Sequence, residues 1–323
     1  MANSTEDDTD AQYLGRLVLA LIGLMPGLVI HSFIVGVNVT DWWKRRSVTP
    51  VDHIVTSLGI SRMCIQCGNA VHFLFHPLFW RSQHAGVTLI LGIIYDFLIY
   101  VSIWLTSLLS IVFCLKISNF HTRLFLYLKG MIVHRTVYFI VASVLLPAIN
   151  SLITLLLGIT KVFNNGTYNK MMTNLTYCTI IDSVYPVTIG AIFPLFFYCI
   201  SSVVLFTSLY HHITKMKMSS NLSISLETYY SMIKFVAFNS IYNTAYLICY
   251  SSCIFYYYVY CVTLDWFLVI LGFIPVLHSS YLIYRTAKLR SQMSKVFQNV
   301  TDFLFQRKDT ETKENIEIVA LGQ

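Results

Sequence analysis

Long blocks almost free of charge limit what this chain can fold into. Seven of them, near residues 14–38, 51–75, 87–115, 133–158, 184–210, 229–257 and 262–284, reach the roughly 20 apolar residues that cross a bilayer as a helix. Peptide groups inside a bilayer have no water to bond, so such a block closes its hydrogen bonds within a helix or within a barrel. The alternating pattern of barrel strands is absent. The fourth block, opening near His134 and Arg135, and the sixth, with Asn239, Asn243 and several tyrosines, are the least clean. The reading is an all-α membrane protein with a seven-transmembrane helix bundle over 14–284. A short extracellular segment, 1–13, and a cytoplasmic tail, 285–323, flank it. Composition agrees: charged residues are only 11%, where a soluble domain carries about 25%.

Lysine and arginine are retained on the cytoplasmic side, so loop charge sets orientation. With the N-terminus outside, 17 basic residues fall inside, 4 fall outside and Arg62 lies within the membrane, which accounts for all 22. The net charge of +7 is therefore a topology signal rather than a nucleic-acid footprint, and no nucleic-acid partner is expected. The N-terminus, MANSTEDDTD, is acidic and lacks the basic region of a cleavable signal, so the first helix is expected to act as its own insertion signal. Sequons at Asn3, Asn165 and Asn174 fall outside and are candidate glycosylation sites, whereas those at Asn38, Asn221 and Asn299 fall inside. Cys178 and Cys261 are the cysteines placed on the oxidising side, which allows at most one disulfide. The stretch RTAKLRSQMSK sets basic residues among apolar ones and suits membrane lipid of the anionic inner leaflet. The end, RKDTETKENIEIVALGQ, reads as disordered.

Enzyme chemistry has no foothold. There is no GxSxG elbow, phosphate loop or GxGxxG, and no cofactor is expected. Cys64 and Cys67 have redox spacing but sit inside the second block, where they read as buried packing. His72 and His76, four apart, share a helical face that suits zinc, yet a third ligand is missing and no metal is expected. Without an internal repeat, a transporter or channel has little support.

Polar residues within the blocks are more telling, because ionisable groups in hydrocarbon are unfavourable and are paired or functional. Arg62 must point inward, towards backbone carbonyls, Asn38 or Ser279, either as a structural clamp or as part of signal transmission. Asp96 either reaches an interface or contacts a ligand. In block six, Asn239, Asn243, Tyr246 and Tyr250 step by four, three and four and share one face. In block three, Asp96, Tyr100 and Trp104 do the same. A water-accessible pocket between the outer halves of these helices follows.

The layout is that of a G-protein-coupled receptor, although D-R-Y after block three and N-P-x-x-Y in block seven are missing. Their places hold FCLKISNF and HSSYLIYRTAKL. These stretches, with DWWKRRSVTPVDHIVTSLGISR, WLTSLLSIVFCLKISNF and SLYHHITKM, resemble the bitter taste receptors, the type 2 taste receptor family. Asn174 resembles the family's glycosylated asparagine. Departures include His31 for an asparagine, Phe113 for a tyrosine, Tyr229 for a histidine and Thr286 for an asparagine. Tyr95 and Ile99 stand where the family usually has tryptophan and asparagine.

The resemblance implies a chemosensory receptor for small, mostly apolar bitter agonists. Its ligand contacts would be Phe73, Tyr95, Asp96, Ile99, Tyr100, Tyr246, Tyr250, Leu268 and Leu271. Arg62, Phe113, Lys116, His212, Lys215, Lys217, Lys234, His278 and Ser279 would serve activation and a heterotrimeric G protein of the gustducin or inhibitory type. The nearest rival family is the vomeronasal type 1 pheromone receptors. Plasma-membrane, multi-pass residence is expected.

Orientation has a direct check. Glycosidase treatment of the expressed protein should shorten its apparent mass, and Asn174→Gln should remove part of that shift. A C-terminal epitope stained without permeabilising the cell would reverse the assignment.

Overall fold

The computed structural model describes residues 2–81, 85–118, 123–165, 185–218, 223–260 and 265–321, and these are almost wholly helical. The helices are α1 (Ala2–Trp43), α2 (Pro50–Arg81), α3 (Ala85–Ile117), α4 (Arg123–Asn165), α5 (Phe193–Met218), α6 (Ser223–Tyr260), α7 (Asp265–Arg285) and α8 (Ala287–Leu321), with a π-helical turn at Thr188–Ile192 leading into α5. Gln12–Trp43, Ile90–Ile117, Arg135–Thr160, Tyr185–His211 and Trp266–Arg285 are long and apolar enough to cross a membrane.

The fourth block is cleaner than its sequence implies. Arg135 leaves helical geometry (φ −124°, ψ 24°), which separates the basic start of α4 from the apolar run behind it. The second and sixth blocks form helices of sufficient length but lower apolarity, because each carries a polar stripe. On α2 this stripe is Arg62, Gln66 and Asn69, all buried, so the polar side faces the bundle. That rotation leaves Cys64 and Cys67 exposed. The expected buried packing of these cysteines is therefore overturned: lipid accepts a thiol as readily as a core does, but it does not accept an amide.

Packing runs α1 on α2, α2 on α3 and α4, α3 on α4 and α5, and α5 on α6. At the centre is α3. Of its apolar span 72% is buried, against 22% for α1 and 17% for α4. A helix apolar all round belongs in the middle. The outer helices show two faces. On α1, Leu14, Val18, Ile22, Met25 and Val29 are exposed, suiting lipid, while His31, Ile34, Asn38 and Asp41 are buried on the other side. On α4, Val141, Leu145, Ile149, Leu152 and Leu156 are exposed and Ser143 and Asn150 are buried.

The DWWKRRSVTPVD stretch shapes the α1–α2 connection. Arg45 takes the left-handed conformation (φ 52°) just past the end of α1. Arg46 folds back, with Nη1 3.1 Å from Asp41 Oδ1. A reciprocal cap opens α2. The Thr49 hydroxyl donates to Asp52 Oδ2 at 2.8 Å, and the Asp52 N–H approaches Thr49 Oγ1 at 3.3 Å, with Pro50 between them.

Residues 280–323 form a second compact unit. The segment read as disordered is helical to Leu321. Neither Gly nor Pro interrupts it before Gly322, and Asp309–Lys313 and Arg307–Glu311 have the four-residue spacing that supports an exposed helix. Phe297, Val300 and Phe303 are exposed along α8, near exposed Arg290 and Lys295. At the other terminus, α1 begins at Ala2.

Gly190, in the π turn, lies so close to the Tyr100 ring that a Cβ would overlap it. Tyr100 is 3% exposed and cannot swing away. Gly190→Val should therefore lower stability by about 1–3 kcal/mol, read as a lower Tm of the purified protein in detergent.

Candidate functional site

Away from the Lys116 end of the bundle, one buried cluster gathers Ile65, Ile99, Tyr100, Ile103, Ala191, Tyr246, Leu247, Tyr250 and Leu271, with Tyr95 and Leu268 packed against it. It brings together Tyr95, Ile99, Tyr100, Tyr246, Tyr250, Leu268 and Leu271 of the expected ligand contacts. Tyr100 and Tyr250 meet edge to face, with ring centroids 5.9 Å apart. Asp96 joins through Tyr250, whose hydroxyl donates to Oδ1 at 3.2 Å.

Phe73 is the exception. It is 2% exposed but lines a different small cavity with Leu24, Gln66, Asn69, Leu268 and Gly272, between α1, α2 and α7. Its carbonyl accepts a hydrogen bond from the Tyr13 hydroxyl. The spacing explains this: Arg62, Gln66, Asn69 and Phe73 step by four, three and four, so Phe73 follows the polar stripe of α2.

The cavities found where the water-accessible pocket is expected are small. Among the described residues, the cavities between these helices measure about 20 Å³ below Tyr246, and about 10 Å³ both beside Asp96 and beside Phe73. Each has room for a water or so, whereas small-molecule sites run to roughly 300–1,000 Å³.

Below the tyrosines lies the Arg62 cradle. Arg62 is 2% exposed. Its Nη1 donates to His278 Nδ1 at 2.8 Å and to Ser279 Oγ at 2.9 Å. An arginine can only donate, so the His278 ring proton sits on Nε2. Accepting from Arg62 leaves the Ser279 hydroxyl its own proton, and His31 Nε2 is 2.9 Å away. The Tyr242 ring centroid stands 5.9 Å from the guanidinium carbon, packs at a 32° tilt against the His278 ring 4.4 Å away and stacks with Tyr246. Of the acceptors expected for Arg62, Ser279 is used. Asn38 is not; its Nδ2 donates to Thr56 Oγ1 at 3.0 Å. His31 and Tyr242 are members that sequence reasoning missed. The signal for His31 was the buried stripe it shares with Ile34, Asn38 and Asp41.

At the opposite end, Cys114, Leu205, Leu209 and Val236 form a second cluster, with Phe113, Ile117 and Ile233 against it. Phe113 meets Phe235 edge to face at 5.7 Å. Lys116 and Lys234 are exposed around this end. The side chains of His212, Lys215 and Lys217 lie outside the described residues, as do those of Asn3, Asn165, Asn174, His72, His76, Cys178 and Cys261. Among the described residues, no three His, Cys, Asp or Glu side chains come together.

The fold matches a solved structure of squid rhodopsin with a TM-score of 0.60 and 10% identity, covering 90% of this chain and 87% of that one. Such low identity speaks for the fold alone, an all-α bundle like that of rhodopsin. The model of the family "Taste receptor protein (TAS2R)" matches residues 10–301. Taste receptor type 2 member 7 of Macaca mulatta is 28% identical over 324 residues, 95% of this chain and 99% of that protein. Member 123 of Mus musculus is 31% identical over 166 residues, 51% of this chain and 49% of that one. Member 9 of Homo sapiens is 37% identical over 114 residues, 35% and 36% of the two chains. The chain belongs to the type 2, or bitter, taste receptor family, and is a chemosensory G-protein-coupled receptor rather than an enzyme.

Removing the hub of the cradle tests its role. Ser279→Ala takes one acceptor from Arg62 and one partner from His31, both buried, and should lower stability by about 1–3 kcal/mol. An unchanged Tm in detergent would show that the cradle is not structural.

Proposed function

We propose that this chain sits in the plasma membrane with its N-terminus outside, takes up small, mostly apolar bitter compounds from that side, and activates a heterotrimeric G protein of the gustducin or inhibitory type at its cytoplasmic face. The observation that carries the ligand site is the convergence of Tyr95, Ile99, Tyr100, Tyr246, Tyr250, Leu268 and Leu271 on one buried cluster away from the Lys116 end. Asp96 stands beside it, and Phe73 borders it through the cavity it shares with Leu268.

The closed packing fits an agonist-free receptor. An agonist needs room that these cavities lack, so it binds better to a state in which the cluster has parted, and binding shifts the population towards that state. The tyrosines supply wide apolar surface with polar tips, a combination that tolerates varied organic compounds.

At the cytoplasmic face, Lys116, His212, Lys215, Lys217 and Lys234 would meet the G protein, and Phe113 packed on Phe235 would govern how α3 and α6 separate there. Arg62, His278 and Ser279 would tie α2 to α7 between the two faces. Exposed Phe297, Val300 and Phe303 with Arg290 and Lys295 suit α8 to anionic membrane lipid. Asn174, Asn165 and Asn3 would carry glycans outside.

The test is calcium release in cells expressing the receptor with a promiscuous G protein, screened over a panel of bitter compounds. Lys116→Ala should cut the maximal response several-fold at unchanged surface expression. A response to no compound in the panel, or an unaltered one in Lys116→Ala, would count against the reading.

A further inference from the structure

Asp96 is an acid set within the apolar run of α3, and among the described residues no lysine or arginine forms an ion pair with it. Tyr250 occupies Oδ1, which leaves Oδ2. Beside the carboxylate is the cavity of about 10 Å³ between α3, α4, Pro186 and Val187 just ahead of the π turn, and α6, which Ser151 and Thr154 also line. The Thr154 hydroxyl gives its proton to the Asn150 carbonyl at 2.9 Å, so its oxygen keeps only lone pairs to offer. Asn150, next to Ser151 but not itself on the cavity wall, is 1% exposed, donates Nδ2 to the Pro186 carbonyl at 3.0 Å, and its Oδ1 has no partner. The rest of the wall is apolar, with Ile93, Val187 and Ile254 beside the Tyr100 ring.

This wall is rich in acceptors and poor in donors. An ammonium group is its complement: three N–H donors, no acceptor, a positive charge, and nearly the size of the water that such a volume holds. The neighbouring ring of Tyr100 adds a face that attracts cations.

We propose that this cavity is an ammonium subsite, which takes the head of a protonated primary or secondary amine while the hydrocarbon tail lies on the apolar wall. It deepens the receptor reading above by naming a ligand class for the same region. Asp96 Oδ2 accepts one N–H, and the Ser151 and Thr154 oxygens accept the others. A quaternary ammonium has the charge but neither the N–H groups nor the size for this space.

The test uses purified full-length receptor in detergent and three probes: phenethylammonium, its quaternary analogue phenethyltrimethylammonium, and neutral propylbenzene. Affinities are read from the concentration dependence of Tm. Phenethylammonium should bind the wild type at least about tenfold tighter than either of the others, a difference of about 1.4 kcal/mol or more. Asp96→Asn should erase that preference and Asp96→Glu should keep part of it. Should Asp96→Asn fail to fold, Ser151→Ala and Thr154→Val should each weaken the amine several-fold and leave propylbenzene unchanged. Equal affinity for phenethylammonium and propylbenzene, or an amine preference that survives Asp96→Asn, overturns the subsite. Calcium responses to neutral compounds with no amine preference would overturn the subsite and leave the receptor reading standing. Amine binding without any calcium response would do the reverse.

Discussion

A single guanidinium buried in an apolar bundle governs how the helices around it are turned. Leucine faces are no better satisfied by one another than by lipid, so apolar contacts alone leave a membrane helix free to rotate about its axis. Arg62 removes that freedom. Its donors need acceptors, no carboxylate forms an ion pair with it among the described residues, and His278 and Ser279 of α7 supply the contacts. His31 then fastens α1 to the same hydroxyl. Three helices are keyed to one charge, and the exposed apolar faces of α1 and α4 follow as what remains.

On α6, Tyr242, Tyr246 and Tyr250 share a stripe that starts beside this cation and ends at the Asp96 carboxylate. The cation at one end has His278 and Ser279 on its Nη1, while its Nε has no partner. The acid at the other end has only one phenol. The two differ in what they join: the first ties α2 to α7, and the second meets the Tyr250 hydroxyl of α6.

Much of the arrangement was legible in the sequence. The four-three-four spacing on α6 and the face shared by Asp96, Tyr100 and Trp104 on α3 pointed to the tyrosine cluster before any coordinates did. The same spacing on α2 runs through Arg62, Gln66, Asn69 and Phe73, and it would have placed Phe73 against α1 and α7 and turned Cys64 and Cys67 outward. The error lay in carrying over the rule for soluble cores, in which apolar residues go inside, when in lipid the polar ones do. The helical end of α8 was hidden by its low hydropathy, since composition ignores charges spaced four apart. The volume left between the helices was not legible at all. It depends on how rings such as Tyr100 and Tyr250 settle against one another, to within a fraction of a side chain.

The π turn ahead of α5 has one further consequence. A turn closed between residues five apart holds one residue more than an α-helical turn, so Thr188–Ile192 carries a spare. Deleting a residue there would restore ordinary winding and leave α5 in register. Residues on both sides of the turn, Pro186 and Val187 included, would keep their facing, because the spare residue is taken up within the turn itself. Loss of a residue at this point would therefore leave the wall beside Asp96 and the far end of the bundle in place, and would be felt locally, where Gly190 lies against the Tyr100 ring.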